Sequence, residues 1–359
     1  MTIFASLDKL EHLRKMKFQR LFYIVAVILA AMSCKKDEDT AMTPSLDGYI
    51  SIHGLPEYIS VNDRTHTMTP KGAVHPEGED LGYYWKVTPT MTKYDTTRYT
   101  NGLDKPDASG QPSDGSFTHT FSDTLKTYTV YCYAFADGYS TSSASRSTTV
   151  VKGGKDGSIK GIAFPAESIS TEYGTYYYKT IGTQTWIVNN ICEKSSGSPF
   201  VNSEAMSDVF GRYYSYEQAI AVCASLPGGN WKLPSKEDWE TLENVIDGEI
   251  NADDSYAKSV AAALMVDATF NGEDMWEYWP AVGDITNSSG FSAIPAGYAV
   301  LPSGSFSGLN EYSMFWTSSE SSEKPGMAYC KYLISTEPDI FTREADKTSF
   351  GASVRCIRE

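Results

Sequence analysis

Histidine is scarce in this 359-residue chain: the five residues are His12, His53, His66, His75 and His119, and none follows position 119. Everything beyond His119 therefore lacks an imidazole general base, a Ser-His-Asp triad and His-ligated zinc, unless a partner supplies the ring. Metal-type cysteine spacing is missing too, since Cys34, Cys132, Cys192, Cys223, Cys330 and Cys356 include no C-x-x-C pair. Basic charge is in short supply, with 30 Lys and Arg against 45 Asp and Glu and a net charge of −15. Nucleic acid, which is bound through clustered Lys and Arg, is excluded as a partner on that ground. The acidic exterior reads as a solubility device. The apolar run from Leu21 to Ser33 falls short of the roughly 20 residues a transmembrane helix needs.

What is present starts at that run. A basic flank, Lys17-Phe-Gln-Arg20, an apolar middle and a small residue, Ser33, are the three parts of a secretory signal over residues 1–33. Met16 gives the usual short basic n-region, so residues 1–15 read as an over-called start. Cys34, directly after Ser33, resembles the bacterial lipobox cysteine, although Ala31 stands where that pattern prefers Leu. The resemblance implies that Cys34 is acylated and holds the protein at a membrane. Lys35-Lys-Asp-Glu-Asp39 resembles the acidic export signal of Bacteroidota lipoproteins, which implies an outer-membrane anchor facing the cell exterior. Residues 34–46 carry no apolar periodicity and read as a lipidated tether.

From 47 to 151 short alternating runs take over, among them Gly82-Tyr-Tyr-Trp-Lys-Val87, Thr127-Tyr-Thr-Val-Tyr-Cys-Tyr-Ala-Phe135 and Ser145 to Val151. Turn-rich segments separate them, which predicts an all-β sandwich of about 100 residues. Tyr83-Tyr-Trp85 and the run from Tyr128 to Gly138 resemble PKD and immunoglobulin-like modules. That resemblance implies a spacer, and Cys132 has no in-domain partner for an inter-sheet disulfide. Lys152-Gly-Gly-Lys-Asp-Gly157 reads as a glycine-rich hinge, with hinge and linker covering 152–171.

Residues 172–359 differ. Ser215-Tyr-Glu-Gln218 has capping-box form, and Ser235-Lys-Glu-Asp238 nearly repeats it. Trp239, Leu242, Val245 and Ile246 follow at helical spacing, and Ser255 to Val266 predicts a further helix. With strand-like runs around them, such as Met327 to Leu333 and Ala352 to Ile357, this is an α+β pattern.

Six segments in order resemble the Fibrobacter succinogenes major paralogous domain. They include Ile181-Gly-Thr-Gln-Thr-Trp-Ile-Val-Asn-Asn-Ile191, Leu233-Pro-Ser-Lys-Glu-Asp-Trp-Glu-Thr-Leu242, Phe315-Trp-Thr-Ser-Ser-Glu320 and Ser353-Val-Arg-Cys-Ile-Arg358. Asn230 and Lys232 depart from the family's usual turn, and Asn189 stands where Glu is frequent. The family is similar to C-type-lectin-like and sulfatase-modifying-factor folds. That likeness implies a disulfide between the helix cysteine, Cys223, and the last strand's Cys356. Trp186, Trp239 and Trp316 fall in the family motifs and read as core.

Candidate chemistry is thin. Gly304-Ser-Phe-Ser-Gly308 has Phe306 where a nucleophile elbow needs serine, so it reads as a turn. Glu273, Asp274 and Glu277 beside Trp276 and Trp279 are the best glycosidase candidates, yet nothing fixes their separation. Asp247 to Asp253 spaces oxygen ligands like a calcium loop but lacks the distal Glu, so no metal and no cofactor are expected. Glu337-Pro-Asp339 approaches the Glu-Pro-Asn motif of sugar-binding C-type lectins, but it lies after Cys330 and reads as coincidence. Aromatics remain, at 13% of residues with 24 tyrosines. Trp276, Tyr278, Trp279 and Tyr312 are the candidate ligand-binding residues, because exposed aromatics stack on sugars and anchor interfaces. The expectation is a non-enzymatic cell-surface lipoprotein with a head that binds glycan or protein. A structural or tip subunit of a fimbrial or envelope assembly is the alternative, and a glycan hydrolase the remote one.

Overall fold

Some of the N-terminal strands, such as Thr127–Phe135, form where apolar residues fall on every second position. The computed structural model describes residues 43–89, 97–99, 114–252, 259–277 and 280–358. The signal, Cys34 and most of the tether lie outside them. No helix among the described residues is long and apolar enough to cross a membrane.

The first strands are β1 (Ser51–His53), β2 (Tyr58–Ser60), β3 (Thr65–Lys71), β4 (Gly82–Pro89), β5 (Thr97–Tyr99), β6 (Phe117–Thr120), β7 (Thr127–Phe135) and β8 (Ser142–Val151). They build two sheets, β1-β3-β6 and β2-β8-β7-β4-β5. All pairings are antiparallel except β2 with β8. Along β7, Val130, Cys132 and Ala134 are buried while Tyr131, Tyr133 and Phe135 face outward, the period-2 pattern of a half-buried strand. Ile52 and Met68 from one sheet join Trp85 and Val130 from the other in a single apolar cluster. Trp85 Nε1 donates to the Gly115 carbonyl at 3.0 Å, which satisfies the indole inside that cluster. Cys132 is free, and burial pushes its thiol up to about 12, so it packs as a small apolar residue.

The C-terminal part is mainly β as well. Its strands are β9 (Ile159–Lys160), β10 (Ser168–Ser170), β11 (Thr175–Ile181), β12 (Gln184–Ile187), β13 (Ser198–Pro199), β14 (Arg212–Tyr213), β15 (Trp231–Lys232), β16 (Thr269–Phe270) and β17 (Glu273–Asp274). They continue with β18 (Tyr298–Val300), β19 (Ser305–Ser307), β20 (Tyr312–Glu320), β21 (Met327–Ile334), β22 (Phe341–Asp346), β23 (Phe350–Gly351) and β24 (Ile357–Arg358). The helices are α1 (Glu204–Phe210), α2 (Tyr216–Ala224), α3 (Lys236–Ala252) and α4 (Val260–Leu264). The largest sheets are β10-β11-β12-β24-β15 and β20-β21-β22. Strand β24 thus sits between β12 and β15.

Capping residues fix the helix starts. Ser215 N–H donates to Gln218 Oε1 at 3.0 Å ahead of α2. Ahead of α3, Ser235 N–H donates to Asp238 Oδ2 at 2.8 Å and Asp238 N–H donates back to Ser235 Oγ at 3.1 Å. Each such cap stabilises a helix by about 1 kcal/mol. Trp239, Leu242 and Ile246 on one face of α3 are fully buried with Phe315 and Leu333 of β20 and β21. Of the helix expected over 255–266, residues 255–258 lie outside the described residues; α4 covers Val260–Leu264, with its cap Ser259 Oγ accepting from Ala262 N–H at 3.0 Å.

The glycine-rich segment at 152–157 differs most from expectation. It is packed, not open: Ser158 N–H donates to Lys152 O at 2.7 Å, Lys152 N–H donates to Ser158 Oγ at 3.0 Å, and Ser158 is buried. A Cβ on Gly153 would lie 1.8 Å from the Asp208 carbonyl, so glycine here permits close approach to α1. β9 then pairs with β16, which ties the linker into the C-terminal part. Val151, at the end of β8, shares a buried cluster with Phe200, Met206 and Val209. Tyr58 of β2 lies beside Phe270, with ring centroids 6.4 Å apart. Ser45–Glu359 accordingly forms one compact unit.

Candidate functional site

The sheet β20-β21-β22 has one face in the core and one that is only partly covered. Its register places Tyr312 opposite Ile334, Met314 opposite Tyr332 and Trp316 opposite Cys330. On the other side Tyr332 meets Phe341 and Cys330 meets Arg343. All of these point to the same face, because facing residues in a ladder share a side and alternate residues keep it. At the Trp316–Cys330 end that face is closed by Ala352 and Val354. Towards Tyr312 and Ile334 the cover ends, and the core opens into a cleft of about 450 Å³.

Tyr298, Tyr312, Tyr332 and Phe341 line the cleft, with Glu337 and Arg343 exposed beside them. The rings form a continuous series. Tyr298 and Tyr312 meet edge to face at 6.4 Å, Tyr312 and Tyr332 are tilted at 6.3 Å, and Tyr332 stacks on Phe341 at 5.4 Å. Backbone contacts hold the series in place. Tyr312 N–H donates to Gly308 O at 2.8 Å and Ser335 N–H donates to Glu311 O at 3.0 Å. Gly308 has φ +70°, and a Cβ there would lie 2.7 Å from the Tyr312 ring and 3.4 Å from that of Tyr298. A side chain at this position would displace the two tyrosines.

Burial, and then the Glu311 carboxylate, hold the Tyr312 phenol above its ordinary range, so it is a neutral hydrogen-bond donor at physiological pH. Arg343 rests over the Phe350 ring at 5.5 Å. Neither Glu337 nor Arg343 forms a salt bridge among the described residues. The cleft therefore offers apolar ring faces, phenolic donors, a carboxylate acceptor and a guanidinium fork. Such a set suits a polyhydroxylated ligand that is apolar on one face and polar at its edges. Glu337 is the carboxylate among its lining residues, and the Glu311 carboxylate lies beside the Tyr312 phenol.

The residues singled out from sequence fall in different places. Tyr312 lies in the cleft. Trp276 does not: it is 2% exposed and packs with Trp186, Trp239 and Phe291. The physical reason is the hairpin β16–β17, after which Met275 N–H donates to Ala268 O at 2.9 Å and turns the following indole inward. Tyr278 and Trp279 lie outside the described residues. Glu273 and Asp274 are exposed neighbours on β17 and so point to opposite faces, which separates them as a catalytic pair. The calcium-like spacing from Asp247 runs on as helix α3 through Ala252, with Asn251 Nδ2 donating to Asp247 O at 2.8 Å. Gly304 to Gly308 brackets strand β19. Cys223 and Cys356 are joined by a disulfide with Cα atoms 5.6 Å apart, while Cys192 and Cys330 are free and buried. Burial pushes the Cys192 thiol up to about 11.

Sequence reasoning missed Tyr298, Tyr332, Phe341 and Arg343, and it set Glu337 aside. The signal was present as alternation along each strand, but it converges on one cleft only through the register of three strands.

The cleft lies within a recognisable unit. Residues 180–358 match the family model described as the Fibrobacter succinogenes major domain. The chain carries a Fibrobacter succinogenes major domain. It begins in β11 and ends in β24, so it contains the β20-β21-β22 sheet, the cleft and the Cys223–Cys356 disulfide. No curated protein matches the chain. Among solved structures, the chain is similar to the adhesin InvE of Yersinia pseudotuberculosis, at 10% identity and a TM-score of 0.24, over 88% of this chain and 71% of that one. A TM-score that low carries no inference about fold or ligand.

Proposed function

We propose that this protein is a lipid-anchored cell-surface binding protein whose Fibrobacter succinogenes major domain holds carbohydrate, without catalysis, in the tyrosine cleft. The observation that carries the reading is the open series Tyr298, Tyr312, Tyr332 and Phe341 with Glu337 and Arg343 beside it. Saccharides present apolar ring faces and hydroxyl edges, and this cleft is complementary to both. The disulfide between α2 and the segment just before β24 supports a C-type-lectin-like arrangement for the domain. The preceding strands would serve as an Ig/PKD-like spacer.

A glycan array probed with the full chain carrying Cys34→Ser tests the reading. Tyr332→Ala should weaken binding of any positive glycan by about 30-fold, the scale of an aromatic hot spot. Equal binding by wild type and Tyr332→Ala, or no binding across the array, would sink it. Stoichiometric co-purification of a protein partner would favour a subunit of a surface assembly instead, and release of a cleaved glycan would contradict a non-catalytic head.

The anchor is a separate proposal, motivated by the placement of Cys34 after the apolar run and before Lys35-Lys-Asp-Glu-Asp39. Cys34→Ser should move the protein from the membrane fraction to the soluble one. Protease added to intact cells should degrade the wild type. Protection from that protease would place the protein on the inner side of the membrane.

A further inference from the structure

The outer face of the sheet β2-β8-β7-β4-β5 shares no residue with the tyrosine cleft, and the spacer reading leaves it without a role. Its five strands contain Lys86, Arg98 and Arg146 but no Asp or Glu, against 45 acidic residues and a net charge of −15 in the whole chain. An anionic partner repelled by an acidic surface would meet no like charge from these strands.

Register builds the face rung by rung. Tyr84 of β4 lies opposite Tyr133 of β7, which lies opposite Ser143 of β8, and the next outward rung is Lys86, Tyr131 and Ser145. Facing residues share a side and alternate residues keep it, so these six project away from the buried Trp85, Val130 and Cys132. The two serines are exposed, and the tyrosines and Lys86 are half-buried. Tyr84 and Tyr133 stack at 4.4 Å with planes 8° apart, Tyr131 stacks on Tyr133 at 6.5 Å, and Tyr84 meets Phe135 at 6.2 Å. A Cβ on Gly82 would lie 2.1 Å from the Phe135 ring, so the glycine opposite gives that ring room against the sheet. Lys86 Nζ lies 5.7 Å over the Tyr131 ring and pairs with no carboxylate among the described residues. Stacking fixes these rings before a ligand arrives, which lowers the entropy lost on binding. From the Phe135 rung to that of Thr129 the face runs about 20 Å, at roughly 3.4 Å per residue.

We propose that this face binds an anionic linear polysaccharide, its sugar rings on the tyrosines, its hydroxyls on the serines and its acidic groups on Lys86. Such a polymer repeats apolar ring face, hydroxyl and charge along its length, as the rungs do. A peptide instead carries a main-chain amide at every residue, and a sheet face, unlike a sheet edge, offers no main-chain partners for them.

Isothermal titration of the full chain carrying Cys34→Ser tests this, with polygalacturonate as the carboxylate source and dextran sulfate as the sulfate source. At least one should bind, more weakly as salt rises, and neutral dextran should not. Lys86→Glu and Tyr133→Ala should each weaken binding by about tenfold or more, read at a temperature where circular dichroism shows both variants folded. Poly-L-glutamate should bind at least tenfold more weakly than the better polysaccharide. Tyr332→Ala separates this face from the cleft: loss of polysaccharide binding in that variant would place the ligand in the cleft and overturn the proposal. Absence of binding by both anionic polymers overturns it too, as does equal binding by dextran, by poly-L-glutamate or by Lys86→Glu.

Discussion

Removing the Cys223–Cys356 bond should lower the unfolding free energy of the C-terminal domain by about 4–5 kcal/mol, the scale expected for closing a loop of this length. The two cysteines are 133 positions apart, and both are fully buried. The bond joins α2 to the segment just before β24, which is the strand that completes the β12-β24-β15 pairing. Without it, the chain end would have to find its place in the middle of a sheet against the entropy of a long open loop. The double variant Cys223→Ala, Cys356→Ala should show a urea midpoint lower by about 2 M for an m-value near 2 kcal/mol/M. Cys132, Cys192 and Cys330 are free, so a reducing agent should reproduce the same loss in the wild type. A shift of only a few tenths of a molar would show that core packing alone holds β24 in place.

Arg355→Ala should cost about 3 kcal/mol or more, from the loss of partners for buried acceptors and of a desolvated cation–π contact. Arg355 is 1% exposed, the most deeply buried charge of its motif. Its Nε donates to Asn190 Oδ1 at 2.8 Å, and its two terminal nitrogens donate to Phe291 O at 2.8 Å and Ser292 O at 2.9 Å. The guanidinium also lies 4.8 Å from the Phe291 ring centroid and 5.5 Å from that of Phe315. No carboxylate pairs with it among the described residues, and burial lowers its pKa to about 9. It remains charged at neutral pH and acts as a three-way clamp between the end of β12, the loop around Ser292 and the terminal strand. Lysine would keep the charge but not the planar fork, so Arg355→Lys should recover only part of the loss. Thermal unfolding of the three proteins checks this. A destabilisation below 1 kcal/mol for Arg355→Ala would mean that the acceptors find water or one another.

Both effects arise in the segment Ser353-Val-Arg-Cys-Ile-Arg358, whose residue types were plain in the sequence while their roles were not. Cys356 could be matched with Cys223 through a resemblance. Nothing along the chain says that Arg355 is buried, because an arginine near a terminus ordinarily faces water. β7 was legible to the residue, since apolar residues fall on alternate positions, Tyr128, Val130, Cys132 and Ala134, through Thr127–Phe135. β3 was not: Thr65–Lys71 carries mostly threonine and histidine, and only Met68 and Pro70 are buried or half-buried apolar positions. The starts of α2 and α3 were legible because capping is a local interaction completed within four residues. Trp276 was misjudged because burial depends on the β16–β17 hairpin that folds it inward.

By itself the sequence determined what local chemistry decides. It set the alternation of the strands, the capped helix starts and the lack of histidine beyond His119. Tertiary structure decided what depends on register and approach. It gathered Tyr298, Tyr312, Tyr332 and Phe341 from four strands into one cleft with Glu337. It made the glycines at 152–157 a packed junction. The physical division is one of range: capping and alternation act over a few residues, whereas a binding surface requires the sheet register and docking that only the folded chain establishes.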